Sequence, residues 1–270
     1  MCRAFDLSRS GFYAWRQRPE SNRATINRKL LVEIKAIHQR SRQTYGSPRI
    51  HAELCSKGIR CSLNRTVRLM QTAGIRAVAR RRYRHTTDSK HDYPVAPNIL
   101  ERNFRVAGPD QVWLTDITYI PTEEGWLYLS AVMDLHSRRI IGWGMSNRVD
   151  RELTLDALLM ALGRRRPAAG LLHHSDRGSQ YACYDYQKLL GSRGMTCSMS
   201  RKGDPYDNAA MESFFRTLKV ELVYRDRFRY REEAKGVLVE YIELFYNQQR
   251  RHSALGYLSP AEYERQQKTA

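Results

Sequence analysis

The segment Gln111 to Ile120, QVWLTDITYI, constrains the fold of this 270-residue chain more than any other stretch. It alternates as a β-strand does, with Val112, Leu114, Asp116, Thr118 and Ile120 on one face. An aspartate in the middle of an apolar, half-buried strand is costly unless something pairs with it. The rest of the chain must therefore bring partners to Asp116.

The flanking sequence supplies a sheet. PTEEGW is a turn, Trp126 to Leu135 is a nearly continuous apolar run suited to an interior strand, and Ile140 to Met145 follows the HSRR turn as a third strand. Short turns make these three an antiparallel meander. Glu152 to Leu162 has a helical leucine pattern, LLHHSDRG reads as a short strand ending at Asp176 and Gly178, and Tyr184 to Leu190 is helical. MTCSMS is a last short strand. SRKGDPYDNAA is a loop, and a helix runs from about Asn208 through MESFFRTLKVEL. The order is α/β with a mixed five-stranded sheet flanked by helices.

This order resembles the ribonuclease-H-like fold, in which acids sit on the first strand, after the fourth and on a later helix; Asp116, Asp176 and Glu212 occupy those places. Clustered carboxylates repel one another, and hard divalent cations relieve the repulsion. Mg²⁺ takes oxygen ligands, and two such ions can clamp the attacking and leaving oxygens of a phosphoryl displacement. No side-chain nucleophile is then required, and no Ser-His-Asp or Cys-His set stands out. Lys219 lies seven residues after Glu212, almost two helical turns on, and so shares its face; it can hold a DNA strand entering the site. Arg216, one turn from Glu212, can do likewise. Asn208 can bond a metal-bound water or a phosphate, or cap the helix.

Other polar residues have plainer expectations. Asp134, Asp204 and Asp207 serve turns. One of His173 and His174 must face inward, as a satisfied core histidine. Ala234, Val237, Leu238, Tyr241, Ile242 and Phe245 form a helical stripe that packs on the sheet. Arg250, Arg251 and His252 after it either touch DNA or answer the helix dipole.

The charge is uneven. Residues 1–95 hold 21 Lys and Arg against 6 Asp and Glu, a net +15 of the chain's +18, so the remainder carries +3. A basic front and a near-neutral rear imply two domains, 1–95 and 96–270, joined near the Pro-containing stretch Asp92 to Phe104. Such a front suits a polyanion. It reads as helices: Thr25 to Arg40 with Leu30, Leu31, Ile34 and Ile37 inward; a second capped by Ser47 with Pro48 first, Ile50 and Leu54 inward and Gly58 closing; a third capped by Ser62, with Leu63, Val67 and Met70 inward and Gly74 closing. The last two make a helix-turn-helix at about 47–75, whose second helix turns Asn64, Arg65, Arg68 and Gln71 outward to base edges or phosphates. A helical hairpin with a solvated basic face has the same pattern. Ser8 can cap one more helix, whose Phe12, Tyr13 and Trp15 suit a core or interface. The run Ala79 to His85 is a solvated linker or an arm on phosphates; the two are compatible.

The five cysteines are too scattered for a disulfide scaffold, and neither they nor the histidines have a zinc-finger spacing, so no zinc is expected. No run of apolar residues is long enough to span a membrane, and the start has no signal-peptide core; the expected place is a reducing cytoplasm.

TDITYI around Asp116, HSDRGSQY around Asp176 and DNAAMESFFRTLKVEL around Glu212 and Lys219 together resemble the DDE transposases of bacterial insertion sequences, in the retroviral-integrase-like branch. YGSPRIHAEL, which holds Arg49, resembles the helix-turn-helix ahead of the catalytic domain, and YNQQRRHSALGYLSPAEYE resembles the C-terminal signature of the OrfB product of the IS-three group. The resemblance covers nearly the whole chain. It implies a ribonuclease-H-like catalytic domain, with Asp116, Asp176 and Glu212 as ligands of two Mg²⁺ or Mn²⁺ ions. It also implies strand cleavage and transfer at insertion-sequence ends, a multimer on paired double-stranded DNA ends, and an OrfA product as fusion or partner. No sustained heptad of the kind OrfA would supply occurs here. A non-catalytic DNA-binding regulator and a structure-specific nuclease of the same fold are the alternatives.

Overall fold

The computed structural model describes residues 8–78, 93–201 and 205–269. The basic run Ala79 to His85 and Asp204 lie outside them. The chain divides into two compact units, Met1–Val78 and Ala79–Ala270. At the expected join, residues 97–99 are tied to the rear unit. There the Ile99 N–H donates to Ser198 Oγ (2.9 Å), the Met199 N–H to the Pro97 carbonyl (3.3 Å), and Asn98 Nδ2 to Asp207 Oδ2 (2.8 Å).

The front unit is helical: α1 (Arg9–Gln17), α2 (Asn22–Arg40), α3 (Ser47–Ser56) and α4 (Leu63–Thr72). Ser8, Ser21 and Ser62 cap α1, α2 and α4 by accepting backbone N–H bonds. Leu30, Ile34, Ile37, Ile50, Leu54 and Met70 form the buried centre. Gly58 and Gly74 end α3 and α4 at φ +75° and +67°, where a side chain would be strained. Three expectations fail. Ser47 is the first helical residue of α3, and Gly46 stands at the cap. Leu63 is exposed, because the Ser62 cap phases α4 so that Thr66 and Met70 face inward. The buried Thr66 hydroxyl is satisfied by the Ser62 carbonyl at 3.2 Å. No residue of α1 is buried among the described residues, so of the core-or-interface expectation for Tyr13 and Trp15 the core half fails.

The rear unit is built on a five-stranded sheet in the order β3-β2-β1-β4-β5. Its strands are β1 (Val112–Thr122), β2 (Gly125–Asp134), β3 (Ile140–Ser146), β4 (Leu172–Ser175) and β5 (Thr196–Met199). β1, β2 and β3 form the antiparallel meander, while β4 and β5 run parallel to β1. The helices are α5 (Arg151–Arg165), α6 (Ser179–Ala182), α7 (Tyr184–Ser192), α8 (Ala209–Leu218), α9 (Arg231–Glu240) and α10 (Pro260–Thr269). Both faces of the sheet are covered. Trp113, Val132 and Ile141 join residues of α5, α6 and α7 in one apolar cluster. On the other side α8 packs on β1 and α9 on β2. Two-sided cover is why Leu127, Leu129, Ala131, Val132 and Met133 of β2 are all buried and why Trp113 and Thr115 are as buried as Leu114.

Two glycines set the distance between α5 and the sheet. A Cβ on Gly142 would stand 2.1 Å from the Ala157 carbonyl oxygen, and one on Gly144 2.5 Å from that of Leu153. Helix backbone therefore rests directly on strand backbone, with Ala157 and Ala161 fully buried between them. We expect Gly142→Ala to destabilise the chain by about 1–3 kcal/mol or more, since backbone rather than a rotamer must move. A urea melt reads this, and an unchanged midpoint would refute the contact.

Candidate active site

The register of the sheet brings the first two acids level. β4 pairs with β1 through Val112↔Leu172, Trp113↔His173 and Leu114↔His174. Two residues further along each chain come Asp116 and Asp176. Asp116 is half-buried, and its Oδ1 accepts the following Ile117 N–H at 2.8 Å. Asp176 Oδ1 accepts the Gly178 N–H at 2.9 Å, and a Cβ on Gly178 would come within 3.0 Å of that oxygen. Glycine there lets the chain turn tightly against the carboxylate before α6.

Glu212 arrives from the first turn of α8, which is fixed at both ends. At its start, Asn208 stands in the cap position but makes no cap bond. Its Nδ2 instead donates to the Thr115 carbonyl on β1 at 3.1 Å, one residue from Asp116, and its buried Oδ1 has no partner within the described chain. Asp207, fully buried, accepts from Asn98 Nδ2, Arg102 Nε and the Arg201 N–H at 2.8, 3.0 and 2.9 Å. It is a clamp on the loop ahead of α8 rather than a simple turn residue. At the far end, α-helical geometry stops at Leu218 and a π-helical turn, Lys219–Val223, continues the segment.

Electrostatics unite the three acids. Burial pushes the Asp116 carboxyl well above the usual carboxylate range, and the neighbouring Asp176 pushes it further. The Ile117 N–H opposes the shift, Glu212 adds to it, and Lys219 again opposes it. Lys219 is buried, whereas Arg216 is exposed, so only the lysine of the expected pair is enclosed beside the acids. Tyr181, buried beneath them with its hydroxyl 3.3 Å from Thr115 Oγ1, is raised well above its ordinary value by burial, then by Asp176 and Asp116. Among the described residues, no three His, Cys, Asp or Glu side chains already stand close enough to form a closed ligand set. The acids offer carboxylate oxygens, the donor type a hard divalent cation takes.

His173 and His174 are both fully buried, because each face of β4 is covered. His174 lies between Ser198 Oγ (2.9 Å) and Ser200 Oγ (3.0 Å), and burial lowers it to about 4. His173 meets the Tyr186 hydroxyl at 3.1 Å with one ring nitrogen, and burial lowers it to about 3. Asp134 does serve its turn, accepting from Ser137 and from the Asp110 N–H. Arg250 and Arg251 are buried: Arg250 forks onto Glu221 at 2.7 and 2.8 Å, and Arg251 donates to the Tyr257 carbonyl at 2.7 Å. The expected DNA or dipole roles give way to internal pairing, which their place after a helix did not signal. In the front unit Asn64, Arg68 and Gln71 are exposed on α4. Arg65 donates from Nε to Asn27 Oδ1 at 2.9 Å, and Arg49 lies over the Tyr45 ring at 5.6 Å.

A mixed sheet with one acid on β1, a second level with it just after β4, and a third on α8, the helix beyond β5, defines a ribonuclease-H-like integrase core. Family models agree: residues 106–205 and 193–260 each match an integrase core domain, and residues 25–83 an HTH-like domain. The chain is 49% identical to an insertion element IS600 uncharacterized 31 kDa protein of Shigella sonnei, over 97% of each chain. It is 43% identical to the transposase InsF for insertion sequence IS3A of Escherichia coli strain K12, over 98% of this chain and 92% of that one. A solved HTLV-2 integrase catalytic core domain in complex with magnesium is similar at 15% identity and a TM-score of 0.42, covering 58% of this chain and 97% of that one. The chain belongs to the IS3 family of insertion-sequence transposases, and is an enzyme of DNA transposition and integration.

The raised Asp116 fixes the sign of a stability effect. An acid with a raised folded pKa opposes folding while ionised, and that penalty fades as pH falls through the raised value toward the ordinary carboxylate range. Asp116→Asn keeps the shape and removes the charge. Without divalent ions, we expect the variant to melt higher than the parent near neutral pH, with the gain shrinking in mild acid. A lower melting point near neutrality would mean the carboxylate is stabilised.

Proposed function

We propose that the chain cleaves and rejoins DNA strands at insertion-sequence ends, with Asp116, Asp176 and Glu212 holding two Mg²⁺ or Mn²⁺ ions. The observation that carries this reading is the mutual repulsion at Asp116: burial beside Asp176 and Glu212 has no value to a passive scaffold, and a divalent cation relieves it. Bound there, such ions supply Lewis-acid stabilisation of the attacking and leaving oxygens. The chain's own groups orient the rest. Lys219 neutralises charge beside the acids and holds the incoming strand, and Arg216 meets its backbone from the surface. Asn208, anchored to Thr115, aims its spare Oδ1 at a water or hydroxyl within the site. The front unit holds the DNA ends through α3 and α4, with Asn64, Arg68 and Gln71 facing the groove and Arg49 and Arg65 supporting phosphate contacts. Residues 1–95 act as the DNA-binding domain and 96–270 as the catalytic one. The assembly is a multimer on paired ends in the bacterial cytoplasm, with an OrfA product as partner or fusion. No helix among the described residues is long and apolar enough to cross a membrane.

Glu212→Gln should lower strand transfer on end-bearing DNA by roughly a hundredfold or more, the scale of losing a transition-state charge contact. Affinity for the same DNA should be nearly unchanged. Full strand transfer by this variant would remove Glu212 from the site, and cleavage without joining by the parent chain would favour the nuclease alternative.

Arg68→Ala should instead weaken binding to end-bearing DNA by about 1 kcal/mol or more and make it less salt-dependent. Gel-shift titrations at several salt concentrations check this, and unaltered affinity and salt slope would take α4 off the DNA.

A further inference from the structure

We propose that Glu221, Arg250 and Tyr241 are positioning residues for the reaction: they hold the π-helical turn that sets Lys219 beside the acids. This rests on the reading of Lys219 given above and deepens it.

Lys219 and Glu221 are two residues apart, about 200° around a helix, and so point to opposite sides of the segment. Both are buried, at 8% and 7% exposure. On one side Lys219 lies within electrostatic reach of Asp116. On the other, the Glu221 carboxylate is enclosed. Arg250 Nη2 donates to its Oε1 at 2.7 Å, Arg250 Nε to its Oε2 at 2.8 Å, and the Tyr241 hydroxyl to Oε2 at 2.8 Å. A forked guanidinium fixes direction as well as distance.

The backbone on both sides is of the same uncommon kind. Lys219–Val223 is π-helical, with the Tyr224 N–H bonded to the Lys219 carbonyl at 2.8 Å. Tyr241–Tyr246 is π-helical too, and the Arg250 N–H returns to the Phe245 carbonyl at 2.7 Å. Single π turns are rare, and they concentrate where a side chain must be re-aimed. Here two of them meet across one carboxylate, which comes from the turn that carries Lys219. If the fork were lost, the turn could rotate or revert to α geometry, and the lysine on its other side would move. A purely structural ion pair would stabilise the chain without any coupling to Lys219.

The test compares strand transfer by the full-length chain at saturating end-bearing DNA and Mg²⁺. Lys219→Ala is measured first, and a clear loss establishes the role of the lysine. Glu221→Leu with Arg250→Met removes both buried charges together, which spares the fold the uncompensated charge that either change alone would leave. Tyr241→Phe removes a single bond and serves as the mild variant. We expect the double variant to fold and bind DNA but to lose about tenfold in joining, with Lys219→Ala costing less than about twofold on that background. Tyr241→Phe should show a smaller loss, likewise reduced when combined with Lys219→Ala. Parent-like joining by a folded double variant would overturn the proposal, as would losses that multiply independently in the Tyr241→Phe pair. No effect of Lys219→Ala in the parent would instead overturn the role given to the lysine, and the positioning role with it.

Discussion

The rear unit is organised around a repulsion. Asp116 is partly withdrawn from water and set beside Asp176 and Glu212, so its ionised form is disfavoured twice over. Left to itself, such a group would relax by turning toward solvent or drawing the strands apart. Several independent restraints prevent this. The β1–β4 register fixes the first two acids, the tight approach of Gly178 fixes the Asp176 carboxylate, and Asn208 ties the start of α8 to β1 at Thr115. The Asp207 clamp then holds the loop leading into α8. A strained site persists when its surroundings over-determine it, and these contacts come from segments widely separated in sequence.

Several arginines of the rear unit are engaged in internal pairs. Arg102 pairs with Asp207, Arg139 with Glu264, Arg164 with Glu243 and Arg250 with Glu221. Near-neutrality in this unit is therefore not an even scatter of charge over a surface. Many of its charges are consumed in tying the loops and the C-terminal helices to the sheet. The front unit has few acids, and although Arg28 pairs with Glu20 and Lys57 with Glu33, its net charge stays strongly positive, as suits a polyanion.

Local periodicity made much of the architecture legible. All five strands and their succession along the chain followed from alternation and turn residues, and the acid within QVWLTDITYI marked a strand that needed partners brought to it. What escaped was whatever depends on two-sided cover or on contacts distant in sequence. Both histidines of β4 are buried because helices lie on each face, a fact no strand pattern of four residues can carry. Leu63 is exposed because the cap, not apolarity, phases α4. Asn208 looked like a cap, and only the proximity of β1 redirects its amide. Arg250 and Arg251 looked like surface cations at a helix end, since nothing near them in sequence reveals Glu221 or the Tyr257 carbonyl. The departure from α geometry at Lys219 left no mark, because KVEL is an ordinary helical string.

A further set of contacts between residues distant in sequence shares one location. Asn247 bonds both backbone groups of Ile140 through its side chain, Trp143 donates to Glu243, and Glu264 accepts from Ser137 and Arg139. Each joins the C-terminal segment to β3 or to the turn before it, at the edge of the sheet away from β4 and β5. An edge strand presents unpaired backbone groups, and covering them removes a route to mispairing. The segment that covers this edge also carries Arg250, whose fork reaches back to the turn next to the acids. Within YNQQRRH, Asn247 supplies an amide that mimics a strand partner and Arg250 a guanidinium that neutralises a buried carboxylate. Exchanging either alone would leave buried polar groups without a partner, which ties both residues to their surroundings.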